Sequence, residues 1–189
     1  MSISLSGSSI TATGAGLSLQ VAPAGATGET IPYRQAYSDS GAVTSGTLYC
    51  FAIALPSGTL VSNITFVIGN TAETVGTHGA YCLLDNTRTV KAVSADQTFT
   101  AFSPGNTPLT LPMLAPFTTV YTGRYYVCVY EVATTTSSFA GANTILAGVS
   151  AIAPVLNGTS NTGLTTPPAV GTVMNALTAF NGDMYAYTS

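Results

Sequence analysis

One histidine and seven carboxylates are all the imidazole and carboxyl side chains this 189-residue chain can offer to acid–base chemistry. A nucleophilic triad needs a Ser or Cys, a base that takes its proton, and a third group that orients the base. The base would have to be His78, in Val75-Gly76-Thr77-His78-Gly79, ahead of a predicted strand, and no Gly-x-Ser-x-Gly elbow accompanies it. A histidine at a strand entrance without such partners reads as a surface or structural residue. Glycoside hydrolysis would need two carboxyls facing each other across a cleft. Asp85 and Asp96 flank one predicted strand and Glu131 stands near the end of another. Acids there usually serve solvated turns, as in the hairpin pair Asp85-Asn86. One His and three strand-interior cysteines make no zinc ligand set, and no Asp-x-Asp-x-Asp-Gly calcium loop is present. Gly14-Ala15-Gly16 lacks the third glycine and the strand–helix setting of a phosphate-binding turn. No catalytic, cofactor-binding or metal residue is assigned, and the sequence predicts a protein that is not an enzyme.

Cys50, Cys82 and Cys128 each sit inside an apolar run, as in Leu48-Tyr49-Cys50-Phe51 and Tyr126-Val127-Cys128-Val129. An odd number at wide spacing is not a disulfide framework. They read as small buried hydrophobes of a protein folded in a reducing cytoplasm, although two of them would pair if their strands faced each other closely. The aromatic set is 10 Tyr and 7 Phe with no Trp. Tyr121, Tyr125, Tyr126 and Tyr130 crowd one predicted strand. Alternation puts Tyr126, Cys128 and Tyr130 on one face of it and Tyr125, Val127 and Val129 on the other. With both faces apolar the strand is central, its tyrosines filling the core with their hydroxyls at the rim. A sugar-binding platform is the alternative, disfavoured by the lack of Trp.

These side chains sit in an unusual composition. Charged residues make up 6% of the chain, against about 25% in an average soluble domain. Net charge is -3, and the cations are Arg34, Arg88, Lys91 and Arg124. Nucleic-acid binding needs several cations on one face to displace counterions, so it is excluded. Charge-driven disorder is excluded by the 46% apolar content. No Lys or Arg precedes Arg34, so the basic region of a secretory signal is missing and the chain is expected not to be exported by its own N-terminus. The most apolar stretches, Leu48 to Leu55 and Ile145 to Leu156, fall short of the roughly 20 residues that a membrane helix needs. The sequons at Asn63 and Asn157 are read as accidental.

The hydrophobic period is two. Strands are predicted over Thr47 to Leu55, Val61 to Ile68, Gly79 to Asp85, Thr89 to Ser94, Leu109 to Leu111, Gly123 to Val132 and Met184 to Thr188. Turn signals such as Pro56-Ser57-Gly58, Pro104-Gly105-Asn106 and Asn181-Gly182-Asp183 separate them. Short strands with such punctuation, and no intervening amphipathic helix, predict an all-β, antiparallel β-sandwich of jelly-roll-like form. Ala140 to Leu146 and Val173 to Leu177 are each expected to form one helical turn. Residues 1–30 are expected to be an extended N-terminal arm, uncharged before Glu29, with Ile3, Leu5, Ile10, Leu17, Leu19 and Val21 as assembly contacts. The arm would add a strand to a neighbouring subunit, with a hairpin of its own domain or a loose tail as alternatives. Residues 31–189 form the sandwich. Within it, 134–168 is a long low-charge segment whose apolar residues (Phe139, Ile145, Leu146, Val149, Ile152, Val155 and Leu156) imply that it is draped over the sandwich or another subunit.

Several motifs carry a family resemblance: Tyr33-Arg34-Gln35, the turn Leu55-Pro56-Ser57-Gly58, the strand entry Tyr121-Thr122-Gly123-Arg124-Tyr125-Tyr126-Val127, Gly163-Leu164-Thr165-Thr166-Pro167 and the closing Tyr185-Ala186-Tyr187. Together, over residues 31 to 189, they resemble a β-sandwich module in virion proteins of tailed phages, particularly those infecting actinobacteria. There the module occurs in minor tail proteins and in small proteins displayed on the particle. The resemblance implies a non-enzymatic viral structural protein on the virion surface, made in the host cytoplasm. A capsid decoration protein is expected, with the major capsid protein and copies of itself as partners, in a homo-oligomer guessed to be a trimer. The alternative is a minor tail protein or tail-tip adhesin binding a host-surface glycan.

Overall fold

The computed structural model describes residues 22–32, 35–36, 38–98, 102, 105–142 and 147–189, with the backbone of 2–6 and 9–13. In chain order the strands are β1 (Ser2–Ser6), β2 (Ser9–Thr13), β3 (Gly28–Glu29), β4 (Ser38–Ala42), β5 (Leu48–Leu55), β6 (Leu60–Val67), β7 (Thr74–Leu84) and β8 (Val90–Val93). They continue with β9 (Pro108–Thr118), β10 (Gly123–Thr135), β11 (Ser138–Ala142), β12 (Asn157–Ser160), β13 (Thr178–Ala179), β14 (Asp183–Met184) and β15 (Ala186–Thr188). Among the described residues one turn of α-helix, α1 (Ala147–Ser150), interrupts them.

The main layer is a six-stranded antiparallel sheet in the order β13-β12-β5-β10-β7-β8. Facing it are a four-stranded sheet, β3-β15-β6-β9, and a three-stranded one, β14-β11-β4, joined where Ile68 bridges Phe139. The fold is an antiparallel β-sandwich; a jelly-roll winding is not established by this strand order. β10 is central and buried on both faces, as its two apolar faces predict. Tyr125, Val127 and Val129 enter the core between the layers, with Phe51, Phe66, Tyr81 and Phe139. Tyr126, Cys128 and Tyr130 enter a second core on the outer face of the six-stranded sheet, with Leu48, Cys50, Cys82 and Met174.

All seven predicted strands are present. The short prediction at Leu109 to Leu111 is part of an eleven-residue edge strand, β9. Thr107 accepts the Ile68 N–H with its carbonyl, so alternation turns the backbone of residues 108, 110 and 112 outward. Pro108 and Pro112 then offer no N–H on that side, which blunts the edge against further strand pairing. The predicted strand Met184 to Thr188 is divided: β14 pairs with β11 and β15 with β6.

The predicted helical turn at Val173 to Leu177 is corrected, and that at Ala140 to Leu146 is corrected over residues 140–142. Ala140 to Leu146 begins as strand β11, whose backbone bonds are taken by β4 and β14; residues 143–146 lie outside the described residues. Val173 to Leu177 is extended, because the Val90 N–H donates to the Thr172 carbonyl and the Met174 N–H to the Arg88 carbonyl. The β7–β8 hairpin thus takes the bonds that a helix would have made internally.

Of the proposed arm contacts, Ile3 and Leu5 lie on β1 and Ile10 on β2. These strands pair with each other in a two-stranded sheet, with Leu5 opposite Ile10. Leu17, Leu19 and Val21 lie outside the described residues. By Thr27 the chain lies along the sandwich: its N–H donates to the Thr188 carbonyl at 2.7 Å, and β3 pairs with β15.

Candidate functional site

The groups that could carry chemistry are placed as follows. His78, on β7, is not alone: its Nδ1 lies 2.6 Å from Asp96 Oδ2, and Asp96 Oδ1 accepts the Gly79 N–H at 3.1 Å. β7 and the stretch after β8 bring these two residues together, a meeting that their separation in sequence hides. The pair lines none of the hollows described below. The hydroxyl next to it, on Thr77, donates to the Val132 carbonyl. Asp85 is spent on its own hairpin, where Oδ1 accepts from the Thr87 and Thr89 N–H groups and Oδ2 pairs with Lys91 at 3.0 Å. Burial opposes ionisation of Asp85, but the Thr87 hydroxyl, the Thr89 N–H and Lys91 outweigh it and hold its pKa below the usual value. Glu131 is wholly buried. Among the described residues no group of three His, Cys, Asp or Glu is arranged to hold a metal.

Cys50, Cys82 and Cys128 are buried free thiols. Cys128 stands directly opposite Cys50 on β5 and opposite Cys82 on β7, so the three form a row across the sheet. Burial pushes the Cys82 and Cys128 thiols up, with Cys50 adding to both shifts and Cys82 to that of Cys128. They are the inert hydrophobes expected from their apolar runs.

What the outer face of the six-stranded sheet does instead is anchor the segment that crosses it. The Tyr126 hydroxyl donates to the Val155 carbonyl at 2.9 Å and the Tyr130 hydroxyl to the Leu164 carbonyl at 3.0 Å. The Ala52 N–H donates to the Leu156 carbonyl at 2.8 Å, and β12 pairs with β5. The tyrosine tips therefore lie at the rim of the core, as the alternation of β10 implies, and act as fixed donors to a draped strand.

That anchoring decides which side chains of the segment turn outward. Val155 is half-buried beneath it, whereas Val149, Ile152 and Leu156 are 54%, 63% and 51% exposed. With Ala153, Pro154, Ser150 and Asn157 they line a hollow of about 410 Å³ that has no charged residue in its wall. We call this the shelf. Two further hollows adjoin it, one of about 200 Å³ that shares Pro154 and one of about 480 Å³ that shares Leu156. Isolated exposed aliphatics are ordinary; here three of them stand together around one hollow. The sequence named these residues as part of a draped segment. It carried no signal for which of them would face out. Phe139, of the same set, is fully buried.

Comparison of the chain with protein-family models, curated proteins and solved structures finds no match.

Proposed function

We propose that the chain is a non-enzymatic structural protein of a tailed-phage virion, a capsid decoration protein that binds the assembled head and stabilises it across subunit junctions. The observation that carries this reading is the uncharged shelf of Val149, Ile152 and Leu156, held in place by hydrogen bonds from β5 and β10. The motif resemblance supplies the virion setting. The low charge suits permanent assembly, since few ions need be buried unpaired at a subunit contact. Burying the exposed part of each of these side chains would contribute about 1 kcal/mol, enough for three of them to matter in a repeated lattice contact. The edges of the two larger sheets are short or proline-blunted: β13 and β3 have two residues each and β8 has four. Contacts are therefore assigned to the shelf and to the N-terminal residues. The partners are the major capsid protein and copies of this chain, a trimer being the working assembly.

The test is co-sedimentation with purified capsids of the chain, of Ile152→Asp/Leu156→Asp, and of a chain lacking residues 1–21. Both changed proteins should stay folded by circular dichroism and lose capsid binding. Folded variants that bind as the unaltered chain does would overturn the proposal.

The second reading, a tail-tip adhesin for host-surface glycan, draws on a polar hollow of about 290 Å³ lined by Ser38, Asp39, Asn70 and Asn106. Against it, Asp39 is already engaged by the Gly41 and Asn70 N–H groups and the Ser138 hydroxyl. The tyrosines of β10 are turned into the cores, not out as platforms. Glycan-array binding abolished by Asp39→Asn would favour this reading over decoration.

A further inference from the structure

Three of the chain's four cations lie among the described residues, and they are disposed unequally. Lys91 is neutralised by Asp85. Arg88 and Arg124 have no ion pair among the described residues, yet both line the 200 Å³ hollow beside the shelf, with Asn86, Tyr126, Pro154 and Val155. Arg124 starts β10 on the same face as Tyr126, and its guanidinium lies over that ring, 5.5 Å from the centroid. Its Nε is buried and has no hydrogen-bond partner. Arg88 donates from Nε to the Met174 carbonyl at 3.3 Å, which orients the guanidinium and leaves its terminal nitrogens for another acceptor. Its backbone has φ 68°, a conformation that glycine takes freely and an arginine does not. The turn therefore keeps a long cation where a glycine would be easier. Glu29 reaches the larger adjoining hollow, which Arg124 also lines, without forming an ion pair with it.

Two half-buried guanidinium groups leave positive charge partly desolvated and without an ion pair among the described residues, and a planar bidentate acceptor is the group that matches their geometry. Pro154 forms a wall of both this hollow and the apolar shelf, so a ligand seated here would have aliphatic parts next to its charge. We propose that the hollow between Arg88 and Arg124 binds a carboxylate, the Asp or Glu side chain of a partner polypeptide whose neighbouring apolar residues lie on the shelf. This deepens the assembly reading above and rests on it for the identity of the partner as a protein. Charge complementarity selects the acidic partner; a cationic or purely apolar segment would leave both arginines unanswered.

The test uses the full chain with nitrogen-15 label, following the arginine Nε–H signals. The probes are the capped peptide acetyl-Leu-Glu-Leu-amide, its Gln counterpart and inorganic phosphate. The Glu peptide should shift the Arg88 and Arg124 signals at concentrations at least about 10-fold lower than the Gln peptide, a modest share of what close interfacial charge pairs contribute. Arg124→Gln should abolish the response, and so should Arg88→Gly, which keeps the turn because glycine suits that backbone. An equal response to both peptides, no response, or tighter binding of phosphate overturns the carboxylate assignment. Capsid co-sedimentation separates this inference from the reading beneath it. Arg88→Gly or Arg124→Gln binding capsids as the unaltered chain does refutes the acidic partner and leaves the decoration role standing. An unaltered chain that ignores capsids refutes that role, and the peptide titration still decides the pocket.

Discussion

Glu131 gives the sharpest test of the packing described above, because its charge and the fold are in direct conflict. It lies on β10 with no solvent exposure, and both its carboxyl oxygens accept the Ser137 N–H, at 3.1 and 3.0 Å. Burial pushes its pKa up from 4.5 to about 8, with the charge on Glu73 adding to the rise and the Ser137 N–H opposing it. Between those two values the folded chain holds a proton that the unfolded chain has released. Stability must therefore fall as pH rises through this window, and be flat with respect to this group below 4.5 and above about 8. At about 1.4 kcal/mol per pH unit the whole window is worth about 5 kcal/mol. Asp183, raised chiefly by burial from 3.8 to about 6, acts in the same direction at lower pH, so the interval from pH 6.5 to 8 belongs mainly to Glu131. Over that interval the unaltered chain should lose about 1.5 kcal/mol, allowing for the flattening near the pKa. In urea unfolding followed by tyrosine fluorescence this is a midpoint shift of about 0.7 M, for a slope of about 2 kcal/mol per molar. Glu131→Gln has nearly the same shape and no charge at any pH, so it should lose none of this, and its midpoint relative to the parent's should rise by that amount from pH 6.5 to pH 8. The difference between the two proteins isolates Glu131 from every other titrating group. A variant with the same pH slope as the parent would refute the reasoning.

Tyr130→Phe removes the donor to the Leu164 carbonyl and should cost about 1 to 2 kcal/mol. Limited proteolysis between residues 161 and 172 should quicken with it, and unchanged cleavage would mean that the hydroxyl does not hold the draped segment. Gly141→Ala would drive a Cβ into the Asp183 backbone carbonyl where β11 pairs with β14. No side-chain rotation relieves such an overlap, so a loss of about 3 kcal/mol or more is expected, seen as a lower urea midpoint or loss of soluble protein. The buried thiols should resist a disulfide-exchange reagent in the native protein and all three should react in denaturant; recovery of only one thiol would reveal a disulfide.

Local pattern was a good guide wherever a strand carries its own apolar alternation. β5, β6, β7 and β10 are rich in Val, Ile, Phe, Tyr and Cys, so their strand character is legible without knowing their partners. β4 (SDSGA) and β12 (NGTS) have almost no such residues. They are strands because β11 and the free edge of β5 offer backbone partners, a condition set by residues far away in the chain. The same reason explains the extended path of 173–177. Its helix-like composition yields to hydrogen bonds from the β7–β8 hairpin.

The chain by itself determined an all-β sandwich, a central strand apolar on both faces, buried cysteines and a poor supply of acid–base groups, because alternation and composition are local properties that survive any choice of topology. It did not determine which aliphatics of 149–156 stay in water, that Arg88 and Arg124 share one hollow, that His78 meets Asp96, or that Glu131 loses its solvent. Those depend on register between strands distant in sequence and on the tyrosine hydroxyls that fix the draped segment. Only the assembled sheets bring such groups within a few ångströms of one another, and charge, desolvation and exposure act at that distance.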